Sequence, residues 1–343
     1  MTDLQNAVGP DATEAVSASV SSSSGGRRWA TLLGFDRFGV LYVWLAIVVV
    51  FSVWKPDTFP TIDTAKVILN QNAVTGLVAL AVVVPLATRV FDLSIGYAMG
   101  LCSVLISYLL VRTGVPLLPA IGLTVLAGLA IGAVNALVVV GIGIDSFVAT
   151  LATGALLQSA IIAITNEQPI SGGRLNGDFS SIADRSIGGV QAPVFFTVVV
   201  ALGLWWLLEH TVTGRRLHAT GFNEEATRLT GVRTRRLRAG ALIGASLTAG
   251  IGGLIISSQL TAGSPDVGPS YLLDSYAAAF LGATQVHPGR FNVWGTLMAV
   301  LLLATGQTGL SLVAAPTWAS SLFTGVVLLA ALTASFAGGR TTR

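Results

Sequence analysis

The chain has 343 residues, of which 53% are hydrophobic and only 10% charged, against about 25% charged in an ordinary soluble domain. A soluble protein of this composition could not cover its surface with polar groups. That excludes a typical cytosolic enzyme, a disordered chain and a coiled coil, and it leaves a polytopic helical membrane protein.

The net charge of +3 comes from 19 Lys and Arg against 16 Asp and Glu. The positives gather in a few loops, which is a membrane-topology pattern; no nucleic-acid partner is implied. The single cysteine, Cys102, lies in an apolar run and cannot form an intrachain disulfide.

Residues 1–34 are rich in Ser, Ala and Gly, and Arg27 and Arg28 follow this tail instead of opening it. No secretory signal has that order, and the segment reads as a disordered cytoplasmic tail. Residues 35–338 form the transmembrane domain. Ten apolar stretches are predicted as spans, at 38–54, 67–88, 94–111, 116–140, 146–164, 193–209, 239–260, 271–286, 292–314 and 318–336. Each is near the 17–25 residues a bilayer requires, roughly. The eighth is short and polar, carrying Asp274, Ser275 and Tyr276. No ten-residue run alternates polar with apolar residues, so a β-barrel is not expected. The expected fold is an all-α, polytopic transmembrane bundle.

With both termini in the cytoplasm, the inner segments carry 14 of the 19 Lys and Arg. That bias favours an even number of crossings. Two connections are long: residues 165–192, expected outside, and residues 210–238, expected inside with seven arginines.

Several kinds of chemistry are missing. No Walker A motif is present, because neither Lys55 nor Lys66 follows a glycine. G-x-S-x-G is also missing. His210, His218 and His287 lack HExxH spacing and read as loop polarity, with no metal implied. Mid-span charge is scarce. Asp274 is the only acid placed within a span, where it is a candidate path residue or simply a helix cap near the outer interface.

Uncharged polar groups are commoner. Gln71 and Asn72 open the second span, with Asn135 in the fourth, Gln158 in the fifth and Gln307 in the ninth. Such amides suit a hydroxyl-rich ligand, and equally suit hydrogen bonds between helices. Gly96/Gly100, Gly128/Gly132 and Gly240/Gly244 have the spacing of close helix packing. In the inner loop Asn223 can cap a short helix beginning at Glu224. Glu224 and Glu225 suit its positive end, Glu224 and Arg228 make an i,i+4 pair, and Gly231 stops it. Ala226 and Leu229 are left for contact, so the helix either is solvated or docks a partner.

This loop, Gly214 through Val232, resembles the cytoplasmic coupling loop of ABC-importer permeases of the ribose, xylose and galactose type. Their pattern is close to G-N-x-x-A-A-R-x-S-G-I. Asn223, Ala226, Arg228 and Gly231 match it, while Thr227 and Thr230 depart. Phe91-Asp92-Leu93-Ser94-Ile95-Gly96 resembles the family's G-I-D-L-S-V-G, with Asp92, Ser94 and Gly96 as its structural residues. Phe147 through Thr153 resembles F-I-V-T-L-G-T. Residues 268–295 resemble the late stretch of the family in Asp274, Ala277, Ala278, Leu281, Gly282 and Gly295. There the family's G-G-T becomes Gly282-Ala283-Thr284, and its glycine-rich turn becomes His287 through Asn292.

The resemblance covers about residues 40–336. It implies a translocation subunit, not an enzyme, in a bacterial cytoplasmic membrane. ATP and Mg would bind only to partner ABC ATPase subunits, which would grip the 223–231 helix. The other implied partners are a second permease copy, membrane lipid and an extracytoplasmic sugar-binding protein that delivers a monosaccharide, with loop 165–192 as its docking surface. The alternatives are an ion-coupled secondary transporter, or an ABC permease for nucleosides or branched-chain amino acids.

Overall fold

A computed structural model describes residues 35–287 and 289–339. The tail expected at 1–34 lies outside the described residues, as do Arg340 and Arg343. Each of the ten apolar stretches coincides with a helix: α1 (Phe35–Trp54), α2 (Ile62–Ala87), α3 (Ile95–Val111), α4 (Leu117–Ala136), α5 (Ser146–Thr165), α7 (Ala192–Trp205), α10 (Thr234–Leu260), α11 (Val267–Gly282), α12 (Val293–Leu312) and α13 (Thr317–Gly339). α4 and α7 run on as π-helical turns, to Ile142 and His210. Counting those extensions, α2, α4, α5, α7, α10 and α12 are long and apolar enough to cross a bilayer. α1, α3 and α13 hold shorter apolar stretches.

The helix boundaries have local causes. Thr61 caps α2, Asp145 caps α5 through the amides of Phe147 and Val148, and Asn292 caps α12 through Gly295. Gly143 takes a left-handed conformation (φ +90°) where the α4 extension stops. Pro193 stands in the first turn of α7, where its missing N–H is harmless.

Segment 166–191 contains only short pieces. β1 (Ile170–Ser171) pairs with β4 (Ala262–Gly263), which follows α10. A four-residue α6 (Ser181–Asp184) leads to the hairpin of β2 (Ser186–Ile187) and β3 (Val190–Gln191). Asn70 clamps this hairpin onto α2: its side chain donates to Gly189 O (3.0 Å) and accepts from Gln191 N (2.9 Å).

α2 and α10 form the interior. Residues 73–87 of α2 are buried without a break, so the run is apolar on every face, as a central helix requires. α10 lies against α2, α3 and α4. Glycines allow these approaches. A Cβ on Gly132 would stand 2.6 Å from Ile243 Cα, and one on Gly96 would stand 2.7 Å from Gly268 O. Gly96 and Gly100 of α3 thus bring in α11, while Gly128 and Gly132 of α4 bring in α10. Gly240 and Gly244, with the same spacing, face open space. Among the described residues the packing expected of that pair is not made, because α10 turns that face outward.

Other expectations also need correction. The eighth stretch is displaced: α11 begins at Val267 and stops at Gly282, where it meets Gly295 and Thr296 of α12. α10 starts at Thr234, five residues before the predicted span. The inner connection is not one loop with one helix. It holds α8 (Val212–Phe222) and α9 (Glu224–Leu229).

Overfilling the α3–α11 contact should cost about 1–3 kcal/mol. Gly96→Ala is therefore expected to lower the melting temperature of the detergent-purified chain. Gly122→Ala, where a Cβ meets nothing within 4 Å, should leave it unchanged or slightly raised. Equal midpoints for the two variants would show that Gly96 does not set the contact.

Candidate functional site

Three polar regions stand out, and the first is the α8–α9 segment. Thr211 caps α8 through Gly214 N (3.1 Å). Asn223 ends α8 and caps α9, with Oδ1 accepting from Ala226 N (2.9 Å). Gly231 (φ +84°) stops the chain after α9 in a conformation that suits glycine. The expected Glu224–Arg228 pair is not formed. Glu224 is taken by Arg238 of α10 at 3.0 Å, which ties α9 to that helix, and Arg228 pairs with Glu225 at 3.6 Å. The latter pair is exposed and worth little.

The outward face of α9 carries Glu225, Ala226, Arg228 and Leu229, all exposed, and Leu229 is 81% exposed. Beside it a groove of about 860 Å³ is bordered by Arg89, Asp145, Glu225, Arg228, Arg233 and Arg236, among others. An apolar tip on a basic surface, covered by nothing among the described residues, suits a protein partner.

α8 is anchored beneath. His218 is buried, with Nδ1 3.0 Å from Gly214 O and Nε2 3.2 Å from Phe291 O. It therefore joins α8 to the turn before α12, and the reading of it as loop polarity is corrected. Gly221 backs onto Ala87 O at the end of α2, where a Cβ would collide.

The second region is the break between α2 and α3. Residues 88–94 are non-helical, yet Val90, Asp92 and Ser94 are fully buried. All seven amides find acceptors. Those of Thr88, Arg89 and Val90 return to Pro85 and Leu86. Phe91 N donates to Ser146 Oγ (3.1 Å), Asp92 N to Tyr276 Oη (3.1 Å), Leu93 N to Thr150 Oγ1 (3.0 Å) and Ser94 N to Asp92 Oδ1 (3.0 Å). Ser94 Oγ also donates to Asp92 Oδ1 (2.6 Å), and Asn135 Nδ2 donates to Ser94 Oγ (2.6 Å). Asn135, named as a path residue, thus belongs to this internal knot, where its side chain is fully buried.

The third region is a cavity of about 490 Å³ between α2, α11 and α12. It gathers four of the six predicted path residues: Gln71, Asn72, Asp274 and Gln307. Gln307 Nε2 lies 3.3 and 3.4 Å from the Asp274 carboxylate oxygens and 3.0 Å from Thr324 Oγ1 of α13. Asp274 is therefore a mid-helix, half-buried group, and the alternative of a helix cap is corrected. Gln158, on α5, does not line the cavity.

The sequence reading missed Thr75, Ser270, Tyr271, Thr308 and Ser311 on these walls. A signal existed. Gln71 and Thr75, Ser270 and Asp274, and Gln307 and Ser311 are each four residues apart, on one helical face. Chemically, the walls offer one carboxylate, amides and hydroxyls, with no cation among them. Such a surface can hydrogen-bond a neutral, hydroxyl-rich solute in many orientations.

Tyr276→Phe removes the acceptor for the buried Asp92 amide. It should cost about 1–3 kcal/mol, read as a lower melting temperature of the purified chain. A midpoint equal to the wild type's would show that Tyr276 does not support the break.

The family model described as branched-chain amino acid transport system / permease component matches residues 65–332. The ribose import permease protein of Escherichia coli strain K12 is 31% identical over 314 residues, covering 90% of this chain and 96% of that protein. The D-allose transport system permease protein of the same strain is 26% identical, covering 88% and 91%. Its xylose transport system permease protein is 28% identical, covering 90% and 94%. No solved structure matches the chain. A helical chain with apolar membrane-length helices, matched along most of its length, belongs to the permease family of the branched-chain amino acid transport system / permease component type.

Proposed function

We propose that this chain is the membrane-spanning subunit of an ATP-binding-cassette importer that carries a monosaccharide, in the cytoplasmic membrane of a bacterium. The observation that carries the reading is the cavity between α2, α11 and α12, with its amides, hydroxyls and single carboxylate. A sugar offers neutral hydroxyls for those groups. A branched-chain amino acid brings a carboxylate, and no cation on these walls would receive it. The ribose, allose and xylose permeases among its relatives support a simple sugar.

In this reading the ten helices cross the membrane ten times with both termini in the cytoplasm, and two copies of the chain surround the path. ATP and Mg bind to the partner ATPase subunits, whose surfaces receive α9. The segment around α6 and the β2–β3 hairpin receives the sugar-binding protein. The bundle alternates between outward-open and inward-open states, and nucleotide binding biases that equilibrium through its differential affinity for the two. Asp274 and Gln307 sit on neighbouring helices, so a relative shift of α11 and α12 would change the spacing of the groups that hold the solute.

The test is to purify the chain from its native host and identify what accompanies it. An ATPase subunit, with hydrolysis stimulated by a sugar-loaded binding protein, is the expected result. A chain that works alone on an ion gradient overturns the reading, and Asp274→Asn should then abolish transport.

Two variants sharpen the test. Arg228→Glu reverses charge on the exposed face of α9 and should lower coupled transport at least ten-fold with the chain still folded in the membrane; intact uptake would remove α9 from coupling. Gln71→Ala with Asn72→Ala should reduce uptake severalfold at subsaturating sugar. Unaltered uptake would place these amides outside the path.

A further inference from the structure

The arginine-rich surface extends beyond α9. Arg89 and Arg290 line one small pocket, together with Leu86, His218, Gly221 and Phe222 among others. Among the described residues neither arginine has an acidic partner. Among the described residues Arg290 Nε finds no hydrogen-bond partner. With no acid beside them, both guanidinium groups are left to meet an anion from outside the chain.

Arg89 adds an independent sign. It follows α2 in a left-handed conformation, with φ +56°. Its amide bonds to Leu86 O and that of Val90 bonds to Pro85 O, the arrangement in which a helix usually ends on glycine. An arginine held there against that preference implies a use for its side chain.

The pocket is small and open to solvent. About 40 Å³ is open to water-sized groups, room for about three atoms of that size, since one water needs roughly 10–15 Å³ on this measure. A carboxylate has three heavy atoms and is planar, so it can meet the flat guanidinium groups through parallel hydrogen bonds. The pocket and the α9 groove share Arg89 on their walls. In that groove Glu224 and Glu225 are already paired with arginines, while Asp145 caps α5. The surface as a whole is therefore short of anions.

We propose that Arg89 and Arg290 form a carboxylate clamp beside α9 that receives an acidic side chain of the ATPase subunit. The inference rests on the importer reading, and it adds a second anchor with a stated chemistry. His218 and Gly221 are positioning residues for it. His218 holds Phe291 O, next to Arg290, and Gly221 seats α8 on the end of α2, next to Arg89.

The test uses the full-length chain in nanodiscs and the ATPase subunit recovered with it, titrated at several NaCl concentrations. Arg89→Gln with Arg290→Gln should weaken ATPase binding about ten-fold or more and flatten its salt dependence. Arg89→Lys with Arg290→Lys should regain only part of it, because an ammonium cannot form the bidentate pair. Monodisperse elution and a wild-type melting temperature show that the variants are folded. Binding unaltered in the Gln variant overturns the clamp. So does a loss seen in phosphatidylglycerol discs but not in phosphatidylcholine discs, which assigns the arginines to lipid phosphate. A wild-type chain that binds no ATPase subunit defeats the importer reading and the clamp together, whereas wild-type binding with an indifferent double variant defeats the clamp alone.

Discussion

An apolar surrounding leaves a backbone amide only the protein itself as a partner, and this constraint governs the break between α2 and α3. Seven consecutive residues leave the helix, and each amide is met from within. Buried irregular backbone is tolerated only where its polar groups are paired. Ser146 and Thr150 of α5 and Tyr276 of α11 supply three of the acceptors. The break therefore holds two distant helices in place, and those helices in turn make it possible. Asp92 and Ser94 close the turn locally, and Asn135 ties it to α4.

Close helix approach is the second condition. Helices in lipid gain little from burying apolar surface against one another, so contact depends on how near the backbones come. Gly96 and Gly268 let α3 touch α11, and Gly132 lets α4 touch α10. With bulk removed from these crossings, the helices that carry polar groups can be held in register. The cavity of Gln71, Asn72, Asp274 and Gln307 lies where α2, α11 and α12 converge.

The α8–α9 segment and that cavity are joined through the same scaffold. α9 is bound to α10 by Glu224 and Arg238, while α8 rests on the end of α2 and on the turn before α12. Two of these three supports, α2 and α12, also carry cavity residues.

Apolar runs of bilayer length determined by themselves where the helices lie, because hydrophobic length is a local property of the chain. Capping by Asn223 and the stop at Gly231 were legible for the same reason: they involve residues three to eight apart. Four of the six polar residues singled out in the spans line one cavity, because a polar side chain in an apolar stretch stands out. Only the tertiary structure decided which amides share a cavity. Asn135 and Gln71 look alike in sequence, but one is locked to Ser94 and the other opens on the cavity. Partners far apart in sequence made the remaining difference. Arg238 took Glu224 from Arg228, Phe291 gave His218 a buried role, and the outward turn of α10 left Gly240 and Gly244 uncovered. Each depends on how one helix is rotated against another, a property of the assembled bundle that no single segment encodes.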